Sequence, residues 1–161
     1  MTETLEPDHG ARIAAKHGIV RSPEWRNFKR KVIAEMPRCL CCGGKDGLDV
    51  HHLYPLHFIQ AAGRADLELD RRNVNPFCQC EDRMHHLLLG HSGCFESFTD
   101  PLILPDVLKL FGTWTAEQIR LSPSFLELER RRPQRLECWG VLELKELKKT
   151  LDNRFPVFTG S

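Results

Sequence analysis

Cysteine and histidine crowd into one part of this chain. Of its seven cysteines and eight histidines, six of each lie between positions 39 and 94. In a small secreted protein such density would predict disulfides, whereas mixed cysteine and histidine without a secretory signal favours metal ligation. The chain is therefore expected to fold around bound metal, whose binding energy becomes folding energy.

Composition sets only broad bounds. With 161 residues, of which 41% are hydrophobic and 28% charged, the chain is long enough for one domain with its own core. The net charge of +1 gives no global attraction to nucleic acid. No stretch approaches the roughly 20 apolar residues that span a bilayer, and the acidic N-terminus lacks the apolar core of a secretory signal. We therefore expect a cytoplasmic protein without a membrane partner.

Three parts are expected along the chain. Residues 1–20 predict a loose or partly helical lead-in, because they carry few bulky apolar side chains. Residues 21–100 hold the core that is rich in cysteine and histidine. Residues 101–161 are rich in leucine and predict a mostly helical C-terminal extension.

The core is expected to begin with an amphipathic helix. Ser22 is its predicted N-cap, Pro23 occupies the first helical position, and Pro37 ends it. Four apolar residues at helical spacing form its predicted buried face: Trp25, Phe28, Val32 and Met36.

Two short strands and a short helix are predicted after this helix. Residues 48–50 read as a strand that leads into a histidine pair, and residues 56–72 as an irregular, polar connection. A second strand is predicted at residues 74–77, and a helix at residues 84–89 that ends at Gly90.

Helix signals dominate the extension. Thr115 is a predicted N-cap, and Ser122 or Ser124 is expected to open the next helix. Leucines at 142, 144, 147 and 151 predict a last amphipathic helix. This helix is expected to form a packing shell, although it could also supply a dimer face.

A Cys-x-x-Cys motif predicts a structural zinc site. Cys39 and Cys42 lie in one tight turn followed by two glycines, so both thiolates can face the same ion. Cys78, at the end of the second strand, is the best third ligand. The fourth is open between Cys80 and His85, and His85 is favoured because a single residue between Cys78 and Cys80 hinders shared ligation. Cys41 is the spare thiol of the first turn.

An adjacent pair, His51 and His52, ends the first predicted strand. Neighbouring strand residues point to opposite sides, so one imidazole can hold a metal while the other performs a separate task. Phosphodiester hydrolysis requires both a base that deprotonates water and a cation that stabilises charge on the phosphate. A histidine with a pKa near neutrality suits the first task.

The ordered motifs of residues 21–100 resemble HNH endonucleases, in particular the bacterial zinc-containing branch. The strings that carry this resemblance are Arg21-Ser22-Pro23-Glu24-Trp25, Pro37-Arg38-Cys39-x-x-Cys42-Gly43, Leu48-Asp49-Val50-His51-His52-Leu53-x-Pro55, Asn73-Val74-Asn75-Pro76-Phe77-Cys78 and His85-His86-Leu87-Leu88-Leu89-Gly90-His91. The resemblance implies an α+β fold: a small zinc-stabilised ββα-metal core with an N-terminal helix and a helical C-terminal extension. The resemblance does not extend to residues 101–161.

The family pattern also implies roles for single residues. His52 corresponds to the general base, and Asn73 to the asparagine that orients the base or helps to hold the metal site. His51 and His86 correspond to ligands of a catalytic divalent ion, which could be Mg²⁺, Mn²⁺, Ni²⁺ or Zn²⁺. His85 stands where the family usually has a zinc-binding cysteine.

His91 is an open case, because it follows His86 by five residues. On a continuous α-helix this spacing turns the two side chains apart. His91 is therefore expected to join the catalytic ion only if the helix breaks at Gly90, and to be structural otherwise.

Phosphate contacts are expected from local basic clusters, since the net charge supplies no attraction. The predicted nucleic-acid-binding residues are Arg26, Lys29, Arg30, Arg38, Arg71 and Arg72. DNA is the favoured substrate over RNA, and a homodimer could make a double-strand break. The alternative hypothesis is a zinc-stabilised module of the same fold that has lost catalysis and binds nucleic acid or protein.

Overall fold

A two-stranded antiparallel sheet carries the histidine pair. In this computed structural model, which describes residues 9–99 and 105–157, β1 (Leu48–His52) pairs with β2 (Val74–Cys78). Both strands run slightly further than predicted, so the histidine pair lies within β1 rather than after it.

Helices account for most of the remaining described structure. The α-helices among the described residues are α1 (His9–Lys16), α2 (Trp25–Glu35), α3 (Leu56–Ala61), α4 (Pro105–Phe111), α5 (Ala116–Leu121), α6 (Pro123–Arg131) and α7 (Val141–Arg154). Single 3₁₀ turns cover Ala65–Leu69, Arg71–Asn73 and Leu136–Cys138, and a π-helical turn covers His86–Gly90. The predicted α+β class is confirmed. None of the described helices combines the length and the apolar character that crossing a membrane requires.

The lead-in is helical from His9 onward. Ala14 of α1 is almost fully buried in the apolar cluster that α3 also enters. Residues 1–8 of the predicted lead-in, and the predicted boundary at residues 100–101, lie outside the described residues.

Helix α2 packs on the sheet through its predicted apolar face. Trp25 and Val32 form a buried cluster with Val50 of β1 and Val74 of β2. The prediction that Ser22 is its N-cap is wrong, because the N-cap residue is Glu24. Ser22 instead closes a turn before the helix, where its carbonyl accepts the Trp25 N–H at 3.1 Å.

The prediction of an irregular connection at residues 56–72 is wrong. This segment contains α3 and two 3₁₀ turns, and Phe58, Ile59 and Leu67 are completely buried in it. Each element is six residues or shorter, so no helical period is repeated often enough to be legible in the sequence.

The extension follows its predicted signals closely. Thr115 caps α5 in a capping box with Gln118, and Ser122 accepts the Phe125 N–H at the start of α6. In α7 only the later leucines are buried: Leu151 packs into the cluster of α3, whereas Leu142 is 75% exposed.

Candidate metal centres

Four predicted zinc ligands meet in one group. The ligand atoms of Cys39, Cys42, Cys78 and His85 all lie within 4.8 Å of one another. The turn between α2 and β1 supplies the first two, the last residue of β2 supplies the third, and the residue before the π-helical turn supplies the fourth.

The spacing of these atoms fits a tetrahedral zinc ion. Zn–S and Zn–N bonds of about 2.3 and 2.0–2.1 Å imply S···S separations of about 3.8 Å and S···N separations of about 3.6 Å. The Cys42 and Cys78 sulfurs are 4.0 Å apart, and His85 Nδ1 lies 3.6 Å from Cys39 Sγ and 3.3 Å from Cys78 Sγ. The group could therefore hold a structural metal such as zinc.

Local backbone geometry prepares the first turn for thiolates. The N–H groups of Cys41 and Gly44 donate to the sulfurs of Cys39 and Cys42, each at 3.4 Å. Gly43 adopts a φ of +70°, which favours glycine. Hydrogen bonding with Cys78 and His85 lowers the pKa of Cys39 against the opposing effect of burial, while the contact with Cys39 raises the pKa of Cys78, so one thiolate of this pair is favoured on Cys39.

The two neighbouring cysteines face elsewhere. Cys80, the alternative fourth ligand, lies outside the group, and its thiol donates to the Asp46 carbonyl at 3.3 Å. The thiol of Cys41 donates to the Leu108 carbonyl at 3.2 Å, and burial raises its pKa to about 12. Both side chains therefore tie the turn to its surroundings.

A second group consists of three histidines. His51, His86 and His91 also bring their ligand atoms within 4.8 Å of one another, and they are only 2%, 7% and 8% exposed. His86 Nε2 and His91 Nε2 are 3.2 Å apart. One metal with bonds of about 2.1 Å would separate two ring nitrogens by about 3.0–3.4 Å.

The π-helical turn explains how His91 reaches this group. A π-turn is wider than an α-turn and bonds residues five apart, so the five-residue spacing no longer turns the side chains away from each other. The turn runs from His86 to Gly90, and His91 is the residue that follows it. His91 therefore lies in one group with His51 and His86, and its role as a ligand stays a prediction.

A hydrogen bond fixes the orientation of one of these imidazoles, and a carboxylate lies near a second. The Ser97 carbonyl accepts a hydrogen bond from His91 Nδ1 at 2.6 Å, so the Nε2 of neutral His91 carries the lone pair. Asp49 Oδ2 lies 3.6 Å from His86 Nδ1, and Lys29 forms an ion pair with the same carboxylate. Carboxylate or carbonyl partners of this kind orient histidine ligands in metal sites.

Burial favours the neutral form of His51 and His91. It lowers the pKa of His91 to about 3, and it lowers the pKa of His51 well below the usual value, with further lowering by His91 and His86. His51 Nδ1 is buried and has no hydrogen-bond partner among the described residues. A buried imidazole with an unsatisfied nitrogen beside two others fits a metal ligand better than a core side chain.

Part of the C-terminal extension braces the loop after His91. Arg132 donates to the Ser92 carbonyl at 2.9 Å, and the hydroxyl of Ser97 donates to the Pro133 carbonyl at 2.6 Å. Since the Ser97 carbonyl also holds His91, the segment after α6 restrains both sides of this ligand. No local pattern in the sequence predicts this contact.

His52 lies on the other face of β1. Its Nε2 donates to the Glu68 carbonyl at 2.8 Å, and its ring stacks on Trp25 with 4.6 Å between the ring centroids. The carbonyl can only accept, so the proton of neutral His52 is on Nε2 and the lone pair is on Nδ1. This is the tautomer in which Nδ1 can act as a base.

Asn73 is fully buried and bonds to backbone. Its amide oxygen accepts the Tyr54 N–H at 3.0 Å, and its amide nitrogen donates to the carbonyls of Tyr54 and Leu67. Asn73 therefore joins the end of β1 to the segment that holds Glu68. Its position supports orientation of His52 through the backbone rather than direct ligation.

The six predicted DNA-binding residues separate into two sets. Arg26, Arg30 and Arg38 are exposed on or just after α2. The other three form ion pairs: Lys29 with Asp49, Arg71 with Glu35, and Arg72 with Asp70. The exposed set is the stronger candidate for phosphate contacts.

The comparisons with known proteins gave no match. No family model, curated protein or solved structure matches this chain.

Sequence reasoning missed several residues around the site, of which Asp49 is the clearest. It lies two positions before His51 on β1, so the period of a strand places both on one face. That signal was available. The packing of Trp25 on His52, by contrast, depends on how α2 docks and has no local signal.

Proposed function

We propose that this chain is a metal-dependent HNH endonuclease with a ββα-metal core, which hydrolyses phosphodiester bonds in DNA. One observation carries the proposal: adjacent strand residues present a buried three-histidine group on one face and an anchored histidine on the other. A purely structural metal site would leave the constrained tautomer of His52 without a use.

The protein's own groups would divide the chemistry. His51, His86 and His91 would hold a divalent cation, which when bound supplies Lewis-acid stabilisation of charge on the phosphate. His52, held by the Glu68 carbonyl, would accept the proton of the attacking water at Nδ1. Asn73 would keep the segment of Glu68 in place, and so keep His52 aimed.

The cysteine group would have a structural role. A zinc ion held by Cys39, Cys42, Cys78 and His85 would join the turn before β1 to the end of β2 and to the start of the π-helical turn. The zinc ion would thus join β1, which carries His51, to the π-helical turn, which begins at His86. Structural zinc would thereby fix the distance between two ligands of the second centre.

DNA would be held mainly by its backbone. Arg26, Arg30 and Arg38 could neutralise about three phosphates, so the logarithm of affinity should fall with the logarithm of salt concentration with a slope of about −2.7. Such contacts carry no sequence information. A double-strand break would require two copies of the chain or two successive nicks.

The test is metal-dependent nicking of supercoiled plasmid. Protein freed of loosely bound metal with EDTA is assayed alone and with Mg²⁺, Mn²⁺, Ni²⁺ or Zn²⁺, beside His86→Ala and the control His17→Gln. We expect nicking to require added metal, to be lost in His86→Ala and to persist in His17→Gln. If the wild type nicks DNA with none of the four metals, the proposal is refuted and the non-catalytic module is favoured.

A further inference from the structure

A cavity beside the three-histidine group contains an arginine that the proposed mechanism has not used. Among the residues that line this cavity are Arg21, Trp25, Asp49, His86 and His91. Arg21 belongs to the turn before α2 and to the basic cluster at residues 21–38. A group that enters the cavity toward the two histidines therefore also meets a positively charged side chain.

The guanidinium of Arg21 is held in a defined position. Its Cζ lies 4.2 Å from the centre of the Trp25 ring, a cation–π contact. Its Nη1 lies 4.0 Å from Glu68 Oε1, and the side chain is 15% exposed. An arginine that served only solubility would not be buried against an indole and a carboxylate.

Glu68 links this arginine to the candidate base. Its Oε1 accepts the Ser22 N–H at 2.9 Å, which fixes the turn that carries Arg21, while its carbonyl accepts the His52 Nε2 hydrogen at 2.8 Å. Trp25 contacts both side chains, because His52 stacks on the same indole. Arg21 and His52 are therefore positioned by the same two residues.

We infer that Arg21 binds the non-bridging oxygens of the substrate phosphate in this cavity. This inference rests on the proposed function and adds a phosphate-binding residue to it. A guanidinium presents a planar set of donors that matches phosphate oxygens, which a lysine ammonium cannot reproduce. Since Glu68 and Trp25 position both side chains, they would keep a phosphate bound by Arg21 near the water that His52 would activate.

The experiment compares Arg21→Gln and Arg21→Lys with wild type and with Arg120→Gln, a control whose arginine is exposed on α5. Binding of inorganic phosphate to the full-length, Mn²⁺-loaded proteins is measured by calorimetry, and plasmid nicking gives kcat and KM. We expect Arg21→Gln to weaken phosphate binding about tenfold to one hundredfold, as removal of a charged hydrogen-bonding group does. Arg21→Lys should be intermediate, and Arg120→Gln should match wild type.

Two further readouts separate phosphate binding from a structural role. Melting temperature and Mn²⁺ affinity should be the same in Arg21→Lys and wild type, while phosphate affinity differs. Equal phosphate affinity in wild type and Arg21→Gln would overturn the inference, even if DNA nicking were normal. Weaker phosphate binding in Arg21→Gln with no nicking by wild type would instead contradict the proposed function and leave the phosphate site standing.

Discussion

Gly90 offers a sharp test of the three-histidine group, because a side chain there has no room. A Cβ at this position would lie 2.9 Å from His51 Nδ1, 3.0 Å from Cε1 and 3.2 Å from Cγ. Three contacts with one ring are tighter than ordinary van der Waals separation. The obstacle is a buried imidazole, which is 2% exposed and cannot swing into solvent.

The size of the effect follows from this overlap. Forcing an extra methyl group into a packed interior costs about 1–3 kcal/mol. Displacement of His51 relieves the overlap and reduces the free energy of metal binding by a similar amount. Each 1.4 kcal/mol corresponds to a tenfold change in affinity. Gly90→Ala should therefore weaken binding of Mn²⁺ or Ni²⁺ by about fivefold to one hundredfold.

Calorimetric metal titration measures this effect, and Gly63→Ala is its control. Gly63 has a φ of +77° but open space around its Cβ position, so alanine there should lower the melting temperature without changing metal affinity. Equal metal affinity in Gly90→Ala and wild type would refute the placement of His51 against this turn. Equal losses in both variants would show that general destabilisation, and not His51, governs metal binding.

Three further predictions concern zinc, ligand orientation and pH. Cys42→Ser should lose its zinc, and with it much of the folding energy of about 10–16 kcal/mol that structural zinc provides. Cys80→Ser should keep its zinc. Elemental analysis measures both, and equal zinc contents in the two variants would contradict the ligand set. Asp49→Asn should weaken metal binding roughly 10- to 100-fold, since its carboxylate lies beside His86 Nδ1; an unchanged calorimetric affinity would remove Asp49 from the site. Burial lowers the pKa of His57 to about 4 from 6.5, so its contribution to stability is present above about pH 6.5 and is lost as the pH falls toward 4. His57→Gln should flatten the fall of melting temperature over that range, and a slope identical to wild type would contradict this assignment.

The group formed by Cys39, Cys42, Cys78 and His85 was predictable because covalent neighbours determine most of its geometry. Cys39 and Cys42 share one turn, and Cys78 directly follows the four residues that predict the second strand. Only the fourth ligand needed a choice, and the single residue between Cys78 and Cys80 was enough to favour His85. Local spacing therefore carried nearly all of this site.

The second centre was harder to predict, because it depends on backbone shape and on contacts distant in sequence. The role of His91 could not be decided from helical spacing, since no residue pattern predicts a π-helical turn. The orientation of His52 requires the Glu68 carbonyl, sixteen residues away, and that segment was wrongly expected to be irregular. Short elements bury their side chains through tertiary packing, which leaves little periodic signal.

The central claim is that His52 acts as a general base and not only as a structural residue. Its most direct test is the initial rate of duplex DNA cleavage by wild type and His52→Ala, each shown by elemental analysis to hold the same metals. Removal of a general base typically costs 10²- to 10⁴-fold in rate, so we predict a loss of that order at unchanged metal content and similar DNA affinity. Equal cleavage rates at equal metal content would contradict the assignment of His52 as the base.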